Sequence, residues 1–532
     1  MSDSRRPVGE SDAAAREIAG WLTAFVAIGL AVRVVRYLAR FPFWGDEAAA
    51  ALVLLDRSVG RLLEPPLEYG QMGPPGFLVG VRLTLLAFGT SETALRLIPF
   101  LAALASVLAF ARLARVVASH LSPRDLAIAT LPLALFAVSF YPIRYAAELK
   151  SYSLDVLVSC LVLGLAARWL CHDDDGSLGA LALVASVCPW FSYPSTLFVA
   201  GTAAGLLPAL LRRRSSRAWK LWALLVLGCL VGTATVYLGV ARWQKLDSAG
   251  SDRWLIDFLA SGFPPGAPLQ FLRWLALAHT GVLFAYPNGG PNGGSIATFA
   301  AFAAGALTLW RGRHRTLLAV LLAPFALTLA AAALRMYPYG VHPRFGLFLA
   351  PTICLVAGVG LARGLGALAT GAAATRAALV LFAALGIGQI VRDTVRPFSV
   401  PNTVLVRSAA EAIVRSLGPR DVAVALNSEA DLLVAEGIPE GPQVAFRWYL
   451  RRAGGARTLI GPQRPAESLT SSALVRLVVF QRRGRPDPQE RFREWDRRSR
   501  GLFTPGVVWR RPASIEGTDW VFVRDDRRVE KP

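Results

Sequence analysis

The chain has 532 residues, of which 54% are hydrophobic and only 17% are charged, and its mean hydropathy is +0.45. This composition excludes an ordinary soluble protein and predicts a polytopic membrane protein that is mainly α-helical. The formal charge of +21 suits contact with anionic membrane lipids. Nothing in the chain resembles a nucleic-acid recognition fold, so we expect no nucleic-acid partner.

Apolar runs of roughly 17 to 25 residues, the length that crosses a bilayer as a helix, recur from residue 18 to residue 391. They predict about eleven transmembrane helices, near residues 18–38, 93–118, 126–141, 152–170, 178–192, 195–211, 218–241, 296–310, 316–335, 344–362 and 373–391. The stretch Phe77–Phe88 is too short to cross and is predicted to be interfacial or re-entrant. The stretch Phe271–Tyr286 is predicted to lie against the outer surface.

Arginine and lysine prefer the cytoplasmic ends of membrane helices, and this chain follows that rule if its N-terminus is cytoplasmic. The basic clusters that lie on the same side are Arg5, Arg6 and Arg16, then Arg112, Arg115 and Arg124, then Arg212–Arg214, Arg217 and Lys220, then Arg311, Arg313 and Arg315. No small-residue cleavage site follows the first span, so we expect a retained anchor. The loop of residues 40–92 and the region after residue 391 are then extracytoplasmic.

Composition changes after the last span, where charges become dense and short β-type stretches such as Val422–Leu426, Leu477–Phe480 and Trp520–Val523 appear. An amphipathic helix at Arg407–Arg415 precedes the first of them, an order typical of a small α/β domain. The sequence therefore predicts a cytoplasmic tail (1–17), a transmembrane domain (18–391), a linker (392–401) and an extracytoplasmic α/β domain (402–532).

The five cysteines are predicted to lie in spans or on the cytoplasmic side: Cys160, Cys171, Cys188, Cys229 and Cys354. They support neither a disulfide framework nor a cysteine metal site. We expect no cofactor and no metal.

The first candidate site is Asp46-Glu47, which follows the first span and precedes a helical stretch at Ala48–Leu55. A partly desolvated carboxylate at a membrane interface can have its pKa raised and act as a general base. The alternative is that Asp46 caps the helix. The long loop after it, with Tyr69 and Gln71 before a Pro-Pro turn, favours a functional site.

The second candidate site is the predicted outer hairpin from Arg144 to Asp155. Basic residues there run against the positive-inside rule, and an anionic ligand would compensate them. If the segment is helical from Glu148, then Glu148, Tyr152 and Asp155 share one face and Lys150 turns aside. The alternative is a solvated hairpin with a weak Glu148–Arg144 ion pair.

The third candidate site is another predicted outer hairpin, which contains Arg335, Tyr337, Tyr339, His342 and Arg344. Arginine matches phosphate oxygens, and tyrosine suits sugar or headgroup contacts. An aromatic belt with snorkelling arginines is the alternative. Near the end of the first span, Arg33, Arg36 and Arg40 are also expected to snorkel outward.

Five segments together resemble the GT-C membrane glycosyltransferases: FPFWGDEAAA, YGQMGPPGFL, SETALRLIPFL, IRYAAELKSYSLDVL and YPYGVHPRFGLFLAP. This superfamily includes protein O-mannosyltransferases, ArnT-type aminoarabinose transferases and the bacterial Rgt-type proteins, which the chain resembles most. The resemblance covers residues 18–391. The chain differs from related transferases at Gln71-Met72-Gly73, where they carry a charged pair. Because this pair, which could include a metal ligand, is absent here, we predict no metal.

The resemblance implies a bacterial inner-membrane enzyme that moves a sugar, with inversion, from a polyprenyl phosphate to an extracytoplasmic lipid, glycan or protein. Asp46, with Glu47 beside it, would hold the general base. Donor phosphate or substrate contacts would come from Tyr69, Gln71, Arg144, Glu148, Lys150, Tyr152, His342 and Arg344. The alternatives are a carrier or flippase for lipid-linked sugars, which should place ionisable residues near the bilayer midplane, and a non-catalytic envelope scaffold.

Overall fold

A computed structural model describes residues 8–397, except 65–66, 123–124, 247–258 and 291–292, together with parts of residues 404–528. Residues 1–7 of the predicted tail and residues 398–401 of the predicted linker lie outside these ranges. The helices are α1 (Val8–Leu38), α2 (Gly45–Asp56), α3 (Pro75–Phe88), α4 (Glu92–Leu95), α5 (Leu97–Leu121), α6 (Leu126–Ala137), α7 (Phe140–Arg144), α8 (Tyr152–His172), α9 (Asp175–Val187), α10 (Ser195–Arg213), α11 (Ser216–Val236), α12 (Arg242–Leu246), α13 (Pro268–Thr280), α14 (Gly293–Arg311), α15 (Arg315–Ala333), α16 (Pro343–Gly346), α17 (Ala350–Gly366) and α18 (Gly371–Val395).

Helices lie at all eleven predicted span positions. Among the described residues, 8 are long and apolar enough to cross a membrane, and the bent pair α6 and α7, broken at 49°, makes up to 9. The other two positions hold the shorter apolar helices Asp175–Trp190 and Ser295–Arg311. Helix α3 has 14 residues and falls short of a span, as its sequence predicts.

The helical bundle is held by close approaches between backbones. Gly305 of α14 and Gly360 of α17 face each other so tightly that a Cβ on Gly360 would collide with the carbonyl oxygen of Ala301. Gly358 meets the backbone of Pro132, where a proline lies inside α6. Small residues at such crossings let membrane helices gain van der Waals contact along their whole length.

Two arginines of α1 do not snorkel outward as the sequence suggested. Arg33 is fully buried and donates to the carbonyl oxygens of Gly29 at 2.8 Å and Ala137 at 3.1 Å. Arg36 forms a buried ion pair with Asp393 of α18 at 2.9 Å. Arg40, by contrast, is exposed. Charges inside a bundle need such partners, and the Arg36–Asp393 pair ties α1 to α18.

Six strands lie after residue 421 and form one sheet in the order β2-β1-β3-β6-β4, with β5 also paired to β6. They are β1 (Val422–Ala425), β2 (Thr458–Ile460), β3 (Leu474–Gln481), β4 (Phe503–Thr504), β5 (Val508–Ile515) and β6 (Thr518–Arg528). Strand β1 runs parallel to both neighbours, with Val422 opposite Val475, while β3 and β6 are antiparallel. Leu426, the last residue of the stretch predicted from sequence, lies outside the described residues.

Helical residues of the C-terminal region pack on the outer loop. Trp448 and Tyr449 are buried, and the Trp448 ring lies 5.6 Å from that of Phe43. The Phe43 N–H donates to the Tyr449 hydroxyl at 2.6 Å. Arg452 pairs with the buried Glu92 at 2.6 Å. These contacts cover the segment that carries Asp46 and Glu47.

We expect Gly360→Ala to lower the free energy of unfolding by about 1–3 kcal/mol, the usual cost of overpacking, because the new methyl group must push α14 and α17 apart. Thermal unfolding in detergent measures the effect. Gly364→Ala on the same helix is the control, since nothing lies within 4 Å of its Cβ position. Equal stability of the two variants would contradict the close-packing account.

Candidate active site

The first turn of α2 presents Asp46 and Glu47 from the outer loop. The helix begins at Gly45, and its N-cap residue Trp44 makes no side-chain cap bond. The capping alternative for Asp46 is therefore wrong, because its carboxylate contacts other segments instead. The helix also starts before the predicted Ala48, so both acids sit where the positive end of the helix dipole favours negative charge.

Asp46 is the point where three distant segments meet. Its Oδ1 accepts hydrogen bonds from Lys150 Nζ at 2.8 Å and from Gln71 Nε2 at 3.1 Å. Its Oδ2 lies 3.7 Å from the guanidinium of Arg344. The Asp46 side chain is 15% exposed, so the cluster is shielded but remains reachable. Lys150 also donates to Gln71 Oε1 at 2.9 Å, which closes a ring of three polar groups.

The electrostatics of this cluster keep Asp46 ionised. Burial favours the neutral carboxyl, but the charges of Lys150 and Arg344 and the hydrogen bonds from Lys150 and Gln71 outweigh it, so the pKa of Asp46 lies below its usual value. This corrects the raised pKa that partial burial alone suggests. The carboxylate is ready to accept a proton at neutral pH, although in this arrangement it is a weak base.

Glu47 has a different environment. It is only 1% exposed, and Arg96 donates to its two oxygens at 2.8 and 2.6 Å. The Leu149 N–H donates to the same carboxylate at 2.7 Å. Arg96 also donates to the Phe41 carbonyl oxygen at 2.5 Å and lies over the Phe43 ring. Because it is enclosed and saturated, Glu47 fixes the loop around Asp46 and is poorly placed to meet a substrate.

The loop that carries Gln71 is held in an irregular shape. Tyr69 is buried and adopts a left-handed conformation with φ of 60°. The Gly73 carbonyl oxygen accepts from Tyr193 at 2.8 Å and from the Gln244 amide at 3.1 Å. The left-handed conformation of Tyr69 costs free energy and persists only because such surrounding contacts impose it. The fixed loop keeps the Gln71 amide aimed at Asp46.

The second cluster divides between two places. Glu148 precedes α8 in an extended conformation, so the helical face predicted for Glu148, Tyr152 and Asp155 does not form. Arg144 and Glu148 form the predicted pair at 2.8 Å, but Glu148 is only 2% exposed, so this is no solvated surface pair. Lys150 points to Asp46 instead of turning aside. The Tyr152 ring packs edge-on against Tyr145 at 4.9 Å.

In the third candidate site, the Arg344 side chain contacts Asp46, whereas Arg335 is exposed and lies beside the Phe263 ring. His342 caps the short helix α16 by accepting from the Arg344 N–H at 3.3 Å. Burial and the positive charges of Arg344 and Arg144 lower the pKa of His342 to about 4. His342 is therefore neutral at pH 7, so a contact with the donor phosphate would be a hydrogen bond and not a charge pair.

Sequence reasoning missed Arg96, Tyr193 and Gln244. Arg96 immediately precedes α5, on the same side as Asp46. The sequence predicts that this side is extracytoplasmic, where a basic residue runs against the positive-inside rule, and that departure is the signal that could have identified Arg96. Tyr193 and Gln244 carry no such signal, because their contacts with Gly73 join segments far apart in the chain. Across the described ranges, no three histidine, cysteine, aspartate or glutamate side chains converge in a way that could hold a metal ion.

We expect Arg96→Gln to lower the free energy of unfolding by about 3–5 kcal/mol, because it leaves the Glu47 carboxylate buried without its charge partner. Chemical denaturation of the protein in detergent measures the loss. Arg376→Gln is the matched control, since Arg376 pairs with Glu17 on the surface and such pairs contribute about 1 kcal/mol or less. A small loss for Arg96→Gln would mean that the pair does not fix the loop.

No protein-family model and no curated protein sequence matches the chain. Among solved structures, ArnT from Cupriavidus metallidurans bound to undecaprenyl phosphate superposes with a TM-score of 0.52 at 15% identity, over 95% of this chain and 98% of that one. The oligosaccharyltransferase AglB from Archaeoglobus fulgidus, in complex with an inhibitory peptide and a dolichol-phosphate, gives a TM-score of 0.43 at 12% identity over 86% and 69% of the two chains. The superposition on ArnT confirms the predicted resemblance at the level of the fold: this protein has an ArnT-like fold along nearly its whole length.

Proposed function

We propose that this protein is an inverting glycosyltransferase that moves a sugar from a polyprenyl phosphate to a hydroxyl group of an extracytoplasmic lipid, glycan or protein. The observation that carries the proposal is the ionised Asp46 carboxylate, held at the mouth of the bundle between Lys150 and Arg344. The ArnT-like fold supports it, because the ArnT structure holds undecaprenyl phosphate.

In the proposed reaction Asp46 is the general base. The acceptor oxygen attacks the anomeric carbon and loses its proton to the Asp46 carboxylate, while the bond from that carbon to the phosphate oxygen breaks. The electron pair leaves with the polyprenyl phosphate, which gains negative charge. Asp46 suits this part because it is ionised at neutral pH and 15% exposed, whereas Glu47 is enclosed.

Cations must meet the charge that develops on the leaving phosphate. Arg344, Lys150 and Arg144 are the candidates. The contact of Arg344 with Asp46, at 3.7 Å, is looser than the 2.8 Å bond from Lys150. Arg144 is 27% exposed and pairs with Glu148, so it lies within reach of solvent. Tyr69 and Tyr152 are proposed to line the donor pocket.

Donor binding would also strengthen the base. Lys150 and Arg344 lower the pKa of Asp46. A phosphate that engages Arg344 and Lys150 competes with Asp46 for them, so the basicity of the carboxylate rises only when the donor is in place. Such coupling would keep the site inactive toward an acceptor alone.

The remaining architecture belongs to the same proposal. We place the active site and the C-terminal region outside the cytoplasm, with eleven spans, a cytoplasmic N-terminus and a location in the bacterial inner membrane. The C-terminal region would act as a small α/β domain that covers the outer loop. Its contacts with Phe43 and Glu92, close in sequence to the acids and to Arg96, support that part.

We expect Asp46→Asn to lower sugar transfer by about 10²-fold or more, the range for losing a general base, while polyprenyl-phosphate binding persists. Mass spectrometry of envelope lipids and glycans from deletion cells carrying each version measures the transfer. Retention of polyprenyl phosphate by the purified protein measures the binding.

Glu68→Gln is the control, because Glu68 lies in the same loop but is half exposed and pairs with Arg57. It should transfer sugar like the unaltered protein. Near-normal transfer by Asp46→Asn would remove Asp46 from the role of base. A deletion that changes the envelope while Asp46→Asn does not would favour a carrier or a scaffold.

The pH dependence provides a separate test. Asp46 must be ionised to act, and its pKa is lowered, so activity should be present at neutral pH and lost only as the pH falls through that low pKa. We expect Lys150→Met to move the acid limb of kcat/KM to higher pH, because the positive charge 2.8 Å from Asp46 is gone.

Lys150→Arg should keep the limb close to its original position, because the charge remains. His342 also titrates at acid pH, because its pKa is lowered to about 4. His342→Gln removes that titration and so isolates the contribution of Asp46 to the acid limb. If Lys150→Met leaves the limb unmoved while His342→Gln shifts it, then the titrating group is His342 and not Asp46.

A further inference from the structure

A second charged cavity lies at the opposite end of the bundle from Asp46. It has a volume of about 250 Å³ and is lined by basic and apolar side chains, among them His120, Arg212, Arg213, Arg313, His314 and Leu317. Helix α5 connects the two ends, since it begins after Arg96, the partner of Glu47, and reaches His120 in its last turn. Its 25 residues span about 37 Å, so the cavity is separate from the candidate active site.

Helix ends build this cavity. The last turns of α5, α8 and α10 meet the tight turn between α14 and α15 there. Helix C-termini carry partial negative charge and attract basic side chains without any ligand. Arg213 has that role, because it donates to the carbonyl oxygens of Trp169 at 3.1 Å and Leu170 at 3.0 Å and pairs with Asp173.

Two further arginines, Arg212 and Arg313, add positive charge beyond what the partial negative charge of the helix C-termini attracts. Arg212 donates its Nε to the Pro208 carbonyl oxygen at 3.0 Å, which leaves its terminal nitrogens available. Arg313 adopts a left-handed conformation with φ of 63° in the turn before α15. Neither forms an ion pair with any residue of the described part of the chain.

The nearby acids are already engaged. Asp174 pairs with Arg168 at 2.9 Å, and Asp175 lies 3.6 Å from Arg217. The rings of His120 and His314 meet edge to face at 5.0 Å on the cavity wall and add hydrogen-bonding nitrogens without adding an acid. The cavity therefore carries an excess of positive charge that no carboxylate of the described residues neutralises.

We propose that this cavity binds the phosphate of an anionic lipid headgroup in the leaflet opposite the candidate active site. Arg212 and Arg313 would hold the phosphate oxygens, since guanidinium forks match that geometry. Leu170 and Leu317 line the same cavity and would meet the apolar part of the lipid. Basic pockets between membrane helices bind lipid headgroups in this way. The site stands apart from the proposed transfer reaction.

The test compares lipid retention by two double variants. The full-length protein is exchanged into nanodiscs of phosphatidylcholine with a minor fraction of phosphatidylglycerol, and the lipids that stay bound after extraction are measured by native mass spectrometry. We expect Arg212→Gln/Arg313→Gln to retain about tenfold less phosphatidylglycerol than the unaltered protein, with phosphatidylcholine unchanged.

Arg115→Gln/Arg311→Gln is the matched control, because both arginines are exposed near the same end of the bundle, do not line the cavity, and remove the same charge. Equal losses in the two double variants would overturn the proposal, since general surface charge would then explain retention. The melting temperature checks that each variant folds. If an arginine variant does not fold, Leu317→Trp provides the test instead: it fills the cavity, keeps every charge and should also reduce the retention of phosphatidylglycerol.

Inorganic phosphate tests whether the cavity binds a free phosphate anion or the phosphate of a lipid headgroup. If the site takes a free anion, phosphate alone will raise the melting temperature of the unaltered protein but not of Arg212→Gln/Arg313→Gln, and lipid retention will be equal in both. That result would overturn the lipid assignment. Because none of these readouts involves sugar transfer, failure here leaves the proposed function untouched, and loss of activity in Asp46→Asn leaves this site untouched.

Discussion

The hydrogen bond between Lys150 and Asp46 organises the end of the helical bundle where the candidate active site lies. It joins the loop after α1 to the segment before α8, and the Gln71 amide and Arg344 complete the cluster from two further segments. A carboxylate so surrounded stays charged in a setting where burial alone would neutralise it. The position, the ionisation and the partial shielding of the proposed base all depend on this one cluster.

A second carboxylate next to the first has the opposite task. Glu47 is sealed between Arg96 and the Leu149 backbone, and the C-terminal region closes over the adjacent Phe43. Breaking a buried pair costs far more than forming it gains, so such a pair enforces one geometry. The two neighbouring acids thus have different roles: Glu47 fixes the backbone, and Asp46 is the one that we propose contacts a substrate.

Charge is also placed inside the bundle and at its far end. Arg33 satisfies carbonyl oxygens within the helices, and Arg36 and Asp393 tie α1 to α18. Each of these groups has a protein partner inside the bundle, which suits a rigid scaffold better than a moving ion path. At the far end, Arg212 and Arg313 have no ion-pair partner within the described ranges, and they line the cavity that we propose to bind a lipid phosphate.

The sequence by itself determined the class of the protein, the positions of its membrane helices, the short α3 and the acidic pair at the mouth of the first span, because hydropathy, span length and local charge are properties of contiguous residues. The tertiary structure alone decided which cation meets which acid. Asp46 and Lys150 are 104 positions apart, and Glu47 takes Arg96 instead. Such partners depend on how helices pack. The same packing partly buries His342, and it lowers the pKa of Asp46, which the sequence had suggested would be raised.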